Sequence, residues 1–328
     1  MWNYLKRLDR DADHGGGEAT PDLDSRIDAI LEQSGEGFFE VGFRSRSYRT
    51  GARRTIYTGP TGDFYKTAEY VRGEHDRRQI MARASAKTGG RHKIVRVCRP
   101  DAQTTVYVLA DVNRTLDFGS SRESKLELMA RCAATICLSL DETKDLIRAS
   151  LYANQSVVYK MLRAQMPMLA VRDLIANIIE PVTSTGSLDS GFEEAIQIVP
   201  ASGQSEVVIL SDFLNFTDAH YKALADMAQI NNVRAIVIQD IRERELPEGT
   251  LFIPTSIQVF DMNTGRQATW WLTESNRRKY TAEFEEHQSA LFKFFTDNGI
   301  TYETVLTDEG EESDLKVIGL LASPPLLS

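Results

Sequence analysis

After Pro100 the chain alternates between short runs of β-branched and apolar residues and longer segments with apolar residues at helical spacing. The runs 104–110, 146–152, 205–211, 233–239, 256–260 and 300–306 read as strands, and a short run at 156–159 can pair with the second of them as a hairpin. The segments 124–140, 168–180, 188–198, 217–230, 275–298 and 312–322 read as helices, with Gly299 stopping the longest. This order narrows the choice of fold sharply. Parallel neighbours in a sheet need long crossovers, which are usually helices, and such a sheet is covered on both faces, so its strands are apolar on both faces. The run Thr105-Val106-Tyr107-Val108-Leu109 has that character. The predicted architecture is an α/β domain over 101–328 with a doubly wound, mostly parallel sheet.

The first hundred residues follow another pattern. Residues 1–20 are polar, contain Gly15, Gly16 and Gly17, and read as a mobile tail; Trp2, Tyr4, Leu5 and Leu8 at its start either fray or make a short amphipathic contact. Residues 21–34 read as a helix, with Asp22 or Asp24 as cap and Ile27, Ile30 and Leu31 on its apolar face. From Phe38 to Val97 come short strand-like pieces (FFEVGF, RRTIYTG, HKIVRV) and one helical stretch within Arg77–Lys87. The region 21–100 is therefore expected to be a helix followed by a small β-rich element flanking the main sheet.

Charge and cysteine content limit the function classes. The net charge of -9 argues against nucleic acid as main partner, although Arg and Lys crowd residues 44–96 and keep that alternative open for the basic region. Three cysteines without metal spacing suit a reducing compartment, and Cys132 and Cys137 read as small core residues of one helix. No apolar run approaches the roughly 18 residues that span a bilayer, and the start of the chain lacks a secretory apolar core. A soluble, cytoplasmic protein is expected.

Three acids stand just past apolar strands: Asp111, Asp212 and Asp240. In a doubly wound sheet, ligands sit beyond the carboxyl ends of the strands, where Asp111 and Asp212 can meet at one edge. The hydroxyl-rich loop TSTGSLDSGFEEA lies between them in sequence. Carboxylates with hydroxyls suit a hard divalent cation; the same residue types also cap helices and close turns. No G-x-G-x-x-G, Walker-type loop or G-x-S-x-G elbow is present, and the five histidines are scattered. The acids of DEGEESD, 308–314, read as a solvated charge run.

Four segments, in order, carry a resemblance. In FYKTAEYVRGEHDRRQIMARASAKTGGR, Tyr70, Gly73, Asp76, Arg78, Ile80, Ser85 and Ala86 fit a family pattern; Met81 and Ala82 stand where Asp-Trp is expected, and Lys87 replaces Arg. In LADVNRTLDFGSSRESKLELMARCAA the fitting residues are Phe118, Gly119, Ser124, Lys125 and Glu127. The third segment is GSLDSGFEEA with VVILSDF, and the fourth is QDIRERELP, where Ile241 replaces Pro. Together they resemble the bacterial proteins catalogued as domain of unknown function 58, which carry a von Willebrand factor A-like domain and are commonly encoded beside MoxR-type AAA+ ATPases. The resemblance implies a metal-ion-dependent adhesion site at Asp111, Asn113, Thr115, Ser187 and Asp212, with Mg²⁺ as the ion. The site is degenerate, because Asn113 stands in place of a serine. It further implies a non-enzymatic interaction module that meets a MoxR-type ATPase through the loops 111–119, 184–190 and 212–217. A metal-dependent hydrolase using Asp111 and Asp212 is the alternative, and it lacks a placed general base.

Overall fold

A computed structural model describes residues 22–35, 50–54, 63–99, 101–113, 116–117, 119, 123–153, 156–180, 191–201, 205–244, 256–260, 267–271 and 273–323. The N-terminal part comprises α1 (Leu23–Gln33), β1 (Thr50–Arg54), β2 (Asp63–Glu69), α2 (Ala82–Lys87), β3 (Ile94–Arg99) and β4 (Asp101–Ala102). Next come β5 (Thr105–Asp111), α3 (Lys125–Glu142), β6 (Leu146–Ala153), β7 (Ser156–Lys160), α4 (Pro167–Ile179), α5 (Gly191–Ile196) and β8 (Glu206–Ser211). The chain continues through α6 (Asp218–Ala228), β9 (Asn232–Gln239), α7 (Ile241–Arg244), β10 (Ser256–Phe260), β11 (Gln267–Trp271), α8 (Glu274–Asp297), β12 (Thr301–Leu306) and α9 (Glu311–Ala322).

The main sheet has six strands in the order β12-β9-β8-β5-β6-β7. All neighbours are parallel except β7, which returns antiparallel beside β6 as the sequence suggested. The chain starts in the middle at β5, winds out to β6 and β7, then crosses back to β8 on the other side of β5. The winding direction therefore reverses between β5 and β8. Such a switch point splays the loops above the two strands and leaves a crevice at their carboxyl ends.

Alternate residues of each strand feed two separate cores. Val106, Val108 and Ala110 of β5 face a layer that includes Ile27 and Ile30 of α1, Leu128, Met129, Ile136 and Leu140 of α3, Leu174 and Ile178 of α4, and Val317 and Leu321 of α9. Tyr107 and Leu109 face the opposite layer, with Phe192 of α5, Leu224 of α6 and Leu291 and Phe295 of α8. The period of two is the physical reason that a strand apolar throughout must be sandwiched. Fully buried residues such as Leu128, Met129, Ile136 and Leu140 of α3 each contribute about 1.5–3 kcal/mol of burial free energy.

Local chemistry sets the helix ends. Ser124 and Glu127 form a reciprocal capping box that starts α3. Pro167 opens α4, where a missing backbone N–H costs nothing. Beyond α8, Gly299 has φ 67, as its position after the long helix predicts. Asp22 occupies the N-cap of α1, but its side chain makes no cap hydrogen bond.

The run 256–260 departs from expectation. It pairs not with the main sheet but with β11 in a separate antiparallel pair, from Ser256↔Trp271 to Phe260↔Gln267. The place beside β9 is taken by β12. A β-prone run, QATWW, lies close behind SIQVF in sequence, and closing that short loop costs less entropy than a crossover to the sheet. The N-terminal β-rich element is seen as two antiparallel pairs, β1 with β4 and β2 with β3. FFEVGF and the expected tail at 1–20 lie outside the described residues, and no described helix is long and apolar enough to cross a membrane.

Candidate functional site

The carboxyl ends of β5, β8, β9 and β12 carry one connected polar network. Asp111 closes β5 and is 2% exposed. Its Oδ1 accepts from the Asn113 backbone N–H at 3.0 Å and the Asn113 amide Nδ2 at 2.5 Å; its Oδ2 accepts from Ser211 Oγ at 2.9 Å. Ser211 is the last residue of the neighbouring β8, and its Oγ also accepts from Phe213 N. Ser211 thus ties Asp111 to the strand end that presents Asp212.

Asp212 is 1% exposed. Its Oδ1 accepts from Leu214 N at 3.1 Å, and its Oδ2 accepts from the Lys125 ammonium at 2.8 Å. Lys125 is the first residue of α3 and is fully buried. Its Nζ also donates to Glu243 Oε1 at 2.7 Å. Glu243 Oε2 accepts from Asp240 N, and Asp240 Oδ2 accepts from Thr307 Oγ1, which carries the network from β9 to β12. Tyr280 of α8 donates its hydroxyl to the Glu243 carbonyl at 2.7 Å and covers this end.

The electrostatics follow from burial. Burial and the Asp212 carboxylate push Asp111 up to about 7, against the opposing hydrogen bonds from Asn113 and Ser211. Burial works against the Lys125 ammonium, but Asp212 and Glu243 outweigh it and hold the group above the ordinary lysine range. Tyr152, which pairs with Asp111 in the β5–β6 register, stays a neutral phenol because of burial and then the Asp111 charge. Asp111 and Asp212 are thus two neighbouring carboxylates, and among the described residues Asp212 has the Lys125 cation in contact while Asp111 has none.

Two backbone features stand at this edge of the sheet. Phe213, directly after Asp212, has φ 56, a left-handed conformation that a bulky residue adopts at a cost of about 1–3 kcal/mol. The Ser211 hydroxyl and ring contacts to Phe216 and Phe295 at 4.8 and 5.1 Å hold it there. Gly191 opens α5 immediately after the hydroxyl-rich loop; a Cβ at that position would fall 1.8 Å from the Ala153 carbonyl oxygen at the end of β6.

Of the five adhesion-site residues read from the sequence, the structure brings Asp111, Asn113 and Asp212 to one edge. Thr115 and Ser187 lie outside the described residues. Asn113 is buried and turns its amide nitrogen toward Asp111. Sequence reasoning did not assign Ser211, Lys125 or Glu243 to the site. Lys125 carried a weak signal: a lysine at the first position of a helix opposes the helix dipole, which a nearby carboxylate would offset.

The family described as Protein of unknown function DUF58 matches residues 66–290, about two thirds of the chain. The chain belongs to the DUF58 family. No curated protein matches it. Among solved structures, this DUF58 chain is similar to an aerotolerance-related membrane protein from Bacteroides fragilis NCTC 9343 carrying multiple mutations to serines, at 14% identity and a TM-score of 0.39, over 66% of this chain and 98% of that one. It is also similar to the conserved hypothetical protein BatB from Bacteroides thetaiotaomicron, at 13% identity and a TM-score of 0.38, over 67% of this chain and 100% of that one. A von Willebrand factor type A protein from Catenulispora acidiphila matches at 12% identity and a TM-score of 0.27, over 43% of this chain and 34% of that one. The main sheet itself is six-stranded and mostly parallel, with helices packed on both faces.

The donor chemistry suits a hard cation. Asp111 and Asp212 bring adjacent buried carboxylates and Asn113 an amide oxygen, the kind of donor such an ion prefers. Among the described residues no group of three or more acids, histidines or cysteines converges as a metal cage. An ion here would lean on Asp111 and Asp212, on amide and hydroxyl oxygens, and on water.

Proposed function

We propose that this DUF58 chain is a non-enzymatic protein-interaction module that meets its partner at the carboxyl edge of the sheet, above β5 and β8. The observation that carries the proposal is the pair of buried acids, Asp111 and Asp212, at the strand ends flanking the switch point, fixed from below by Ser211 and Lys125. A buried acid pair costs stability that packing does not require, which favours a role in recognition. Mg²⁺ held by Asp111 and Asp212, with Asn113, Thr115 and Ser187 as further oxygen donors, would offer an open coordination position to a partner's carboxylate. A MoxR-type AAA+ ATPase is the candidate partner, in a chaperone-like or assembly role, supported by the four sequence segments that resemble the family. The module is proposed to work in the cytoplasm.

The test is a titration of the purified chain with a MoxR-type ATPase, in Mg²⁺ and in chelator, alongside calorimetry with Mg²⁺ alone. Saturable binding that weakens more than about tenfold in Asp111→Ala and Asp212→Ala, both still folded by circular dichroism, supports the reading. Equal binding by wild type and both variants refutes it.

A further inference from the structure

Beside this network, on the face covered by α1, α3 and α9, lies a cleft of about 1020 Å³. Six carboxylates line it: Glu32, Glu123, Glu127, Asp308, Glu311 and Asp314. Two guanidinium groups answer them, and both are already engaged. Arg26 binds Glu127 at 3.0 Å, and Arg131 binds Glu123 and Asp314 at 2.9 and 2.8 Å. Glu32, Asp308 and Glu311 have no cationic partner among the described residues. The floor is apolar, from Ile30, Leu315 and Ile318, and Leu315 is 68% exposed. Gly35 lets the chain pass close to α9, since a Cβ there would sit 3.1 Å from Ile318 Cδ1. An apolar floor with an acidic rim suits a ligand that is both apolar and cationic.

The same chain presents such a ligand. Residues 63–99 hold ten Lys and Arg against four Asp and Glu, in a protein whose net charge is -9. On β2, Phe64 and Tyr65 are 55% and 44% exposed. The Arg96 guanidinium lies 5.9 Å from the Phe64 ring centre, and the Lys66 ammonium 5.6 Å from that of Tyr65. Each exposed ring thus travels with its own cation. We infer that the β2–β3 pair of one copy docks into the α1–α3–α9 cleft of a second copy, in a head-to-tail association of this chain. The two surfaces differ, so the contact is heterologous and can propagate beyond a dimer.

Sedimentation velocity of the full chain from micromolar to millimolar concentration tests this. The wild type sediments faster as concentration rises at low ionic strength, and this is suppressed at about 0.5 M salt, where the screening length falls to a few Å. Asp308→Lys with Glu311→Lys removes self-association by breaking the cleft; Lys66→Glu with Arg96→Glu removes it by breaking the knob. All four positions are exposed, so the folds persist. An equimolar mixture of the two double variants contains one intact cleft and one intact knob, and it forms a 1:1 pair that does not grow. A wild type that stays monomeric throughout overturns the inference, whether the knob then serves another partner or none. So does a cleft variant that associates like the wild type, or a mixture that fails to pair.

Discussion

Replacing Lys125 with methionine probes the network at its centre. The Lys125 ammonium touches Asp212 at 2.8 Å and Glu243 at 2.7 Å, and all three side chains are buried or nearly so. At an effective dielectric of about 20, each contact is worth roughly 6 kcal/mol of gross attraction. Desolvation of three ions consumes most of that, so the intact triad adds little net stability. Removing the cation alone is different, because it leaves two carboxylates buried without their counter-charge. Lys125→Met should therefore cost about 3–5 kcal/mol. In urea denaturation followed by circular dichroism, that lowers the midpoint by roughly 1–2 M. The deficit should grow from acid to alkaline pH. Stranded carboxylates bind protons more tightly in the folded variant than in its unfolded chain, so its stability falls as they ionise. Adding Asp212→Asn and Glu243→Gln to the methionine variant should recover most of the loss. A Lys125→Met protein within about 1 kcal/mol of wild type at neutral pH would refute the reasoning, because stranded buried charges should cost several times that.

Other consequences are simpler to check. Asp111→Asn in chelator removes one charge of a crowded buried pair and should raise stability by about 1–2 kcal/mol in a thermal melt, while abolishing any Mg²⁺-dependent shift. Lys144 follows α3 with φ 55; Lys144→Gly should stabilise by up to about 1 kcal/mol, seen as a higher denaturation midpoint. Cys98, Cys132 and Cys137 are all buried, and burial pushes the Cys137 thiol up to about 12. The native protein should therefore resist iodoacetamide at mildly alkaline pH and react at all three positions once unfolded, as counted by intact mass.

The sheet was readable because its strands are apolar on both faces and its helices keep a regular spacing. The acids at 111 and 212 were readable because strand ends are where such folds place ligands. Lys125 escaped notice as a site residue because α3 is apolar around nearly its whole circumference, and one charge at its first turn resembled an exposed end. Glu243 stood in the charged stretch IRERELP, where nothing in sequence separates a buried glutamate from its solvated neighbours. The β10–β11 pairing was hidden because a five-residue β-prone run carries no mark of the partner it will find; a nearby run decided it.

The most direct test of the interaction reading is where the partner leaves its footprint. Amide hydrogen exchange of the chain, alone and saturated with a MoxR-type ATPase in Mg²⁺, locates it. The account predicts new protection at 111–119 and 212–217, lost in Asp111→Ala. Protection confined to other surfaces, with both of those segments exchanging unchanged at saturation, would contradict it.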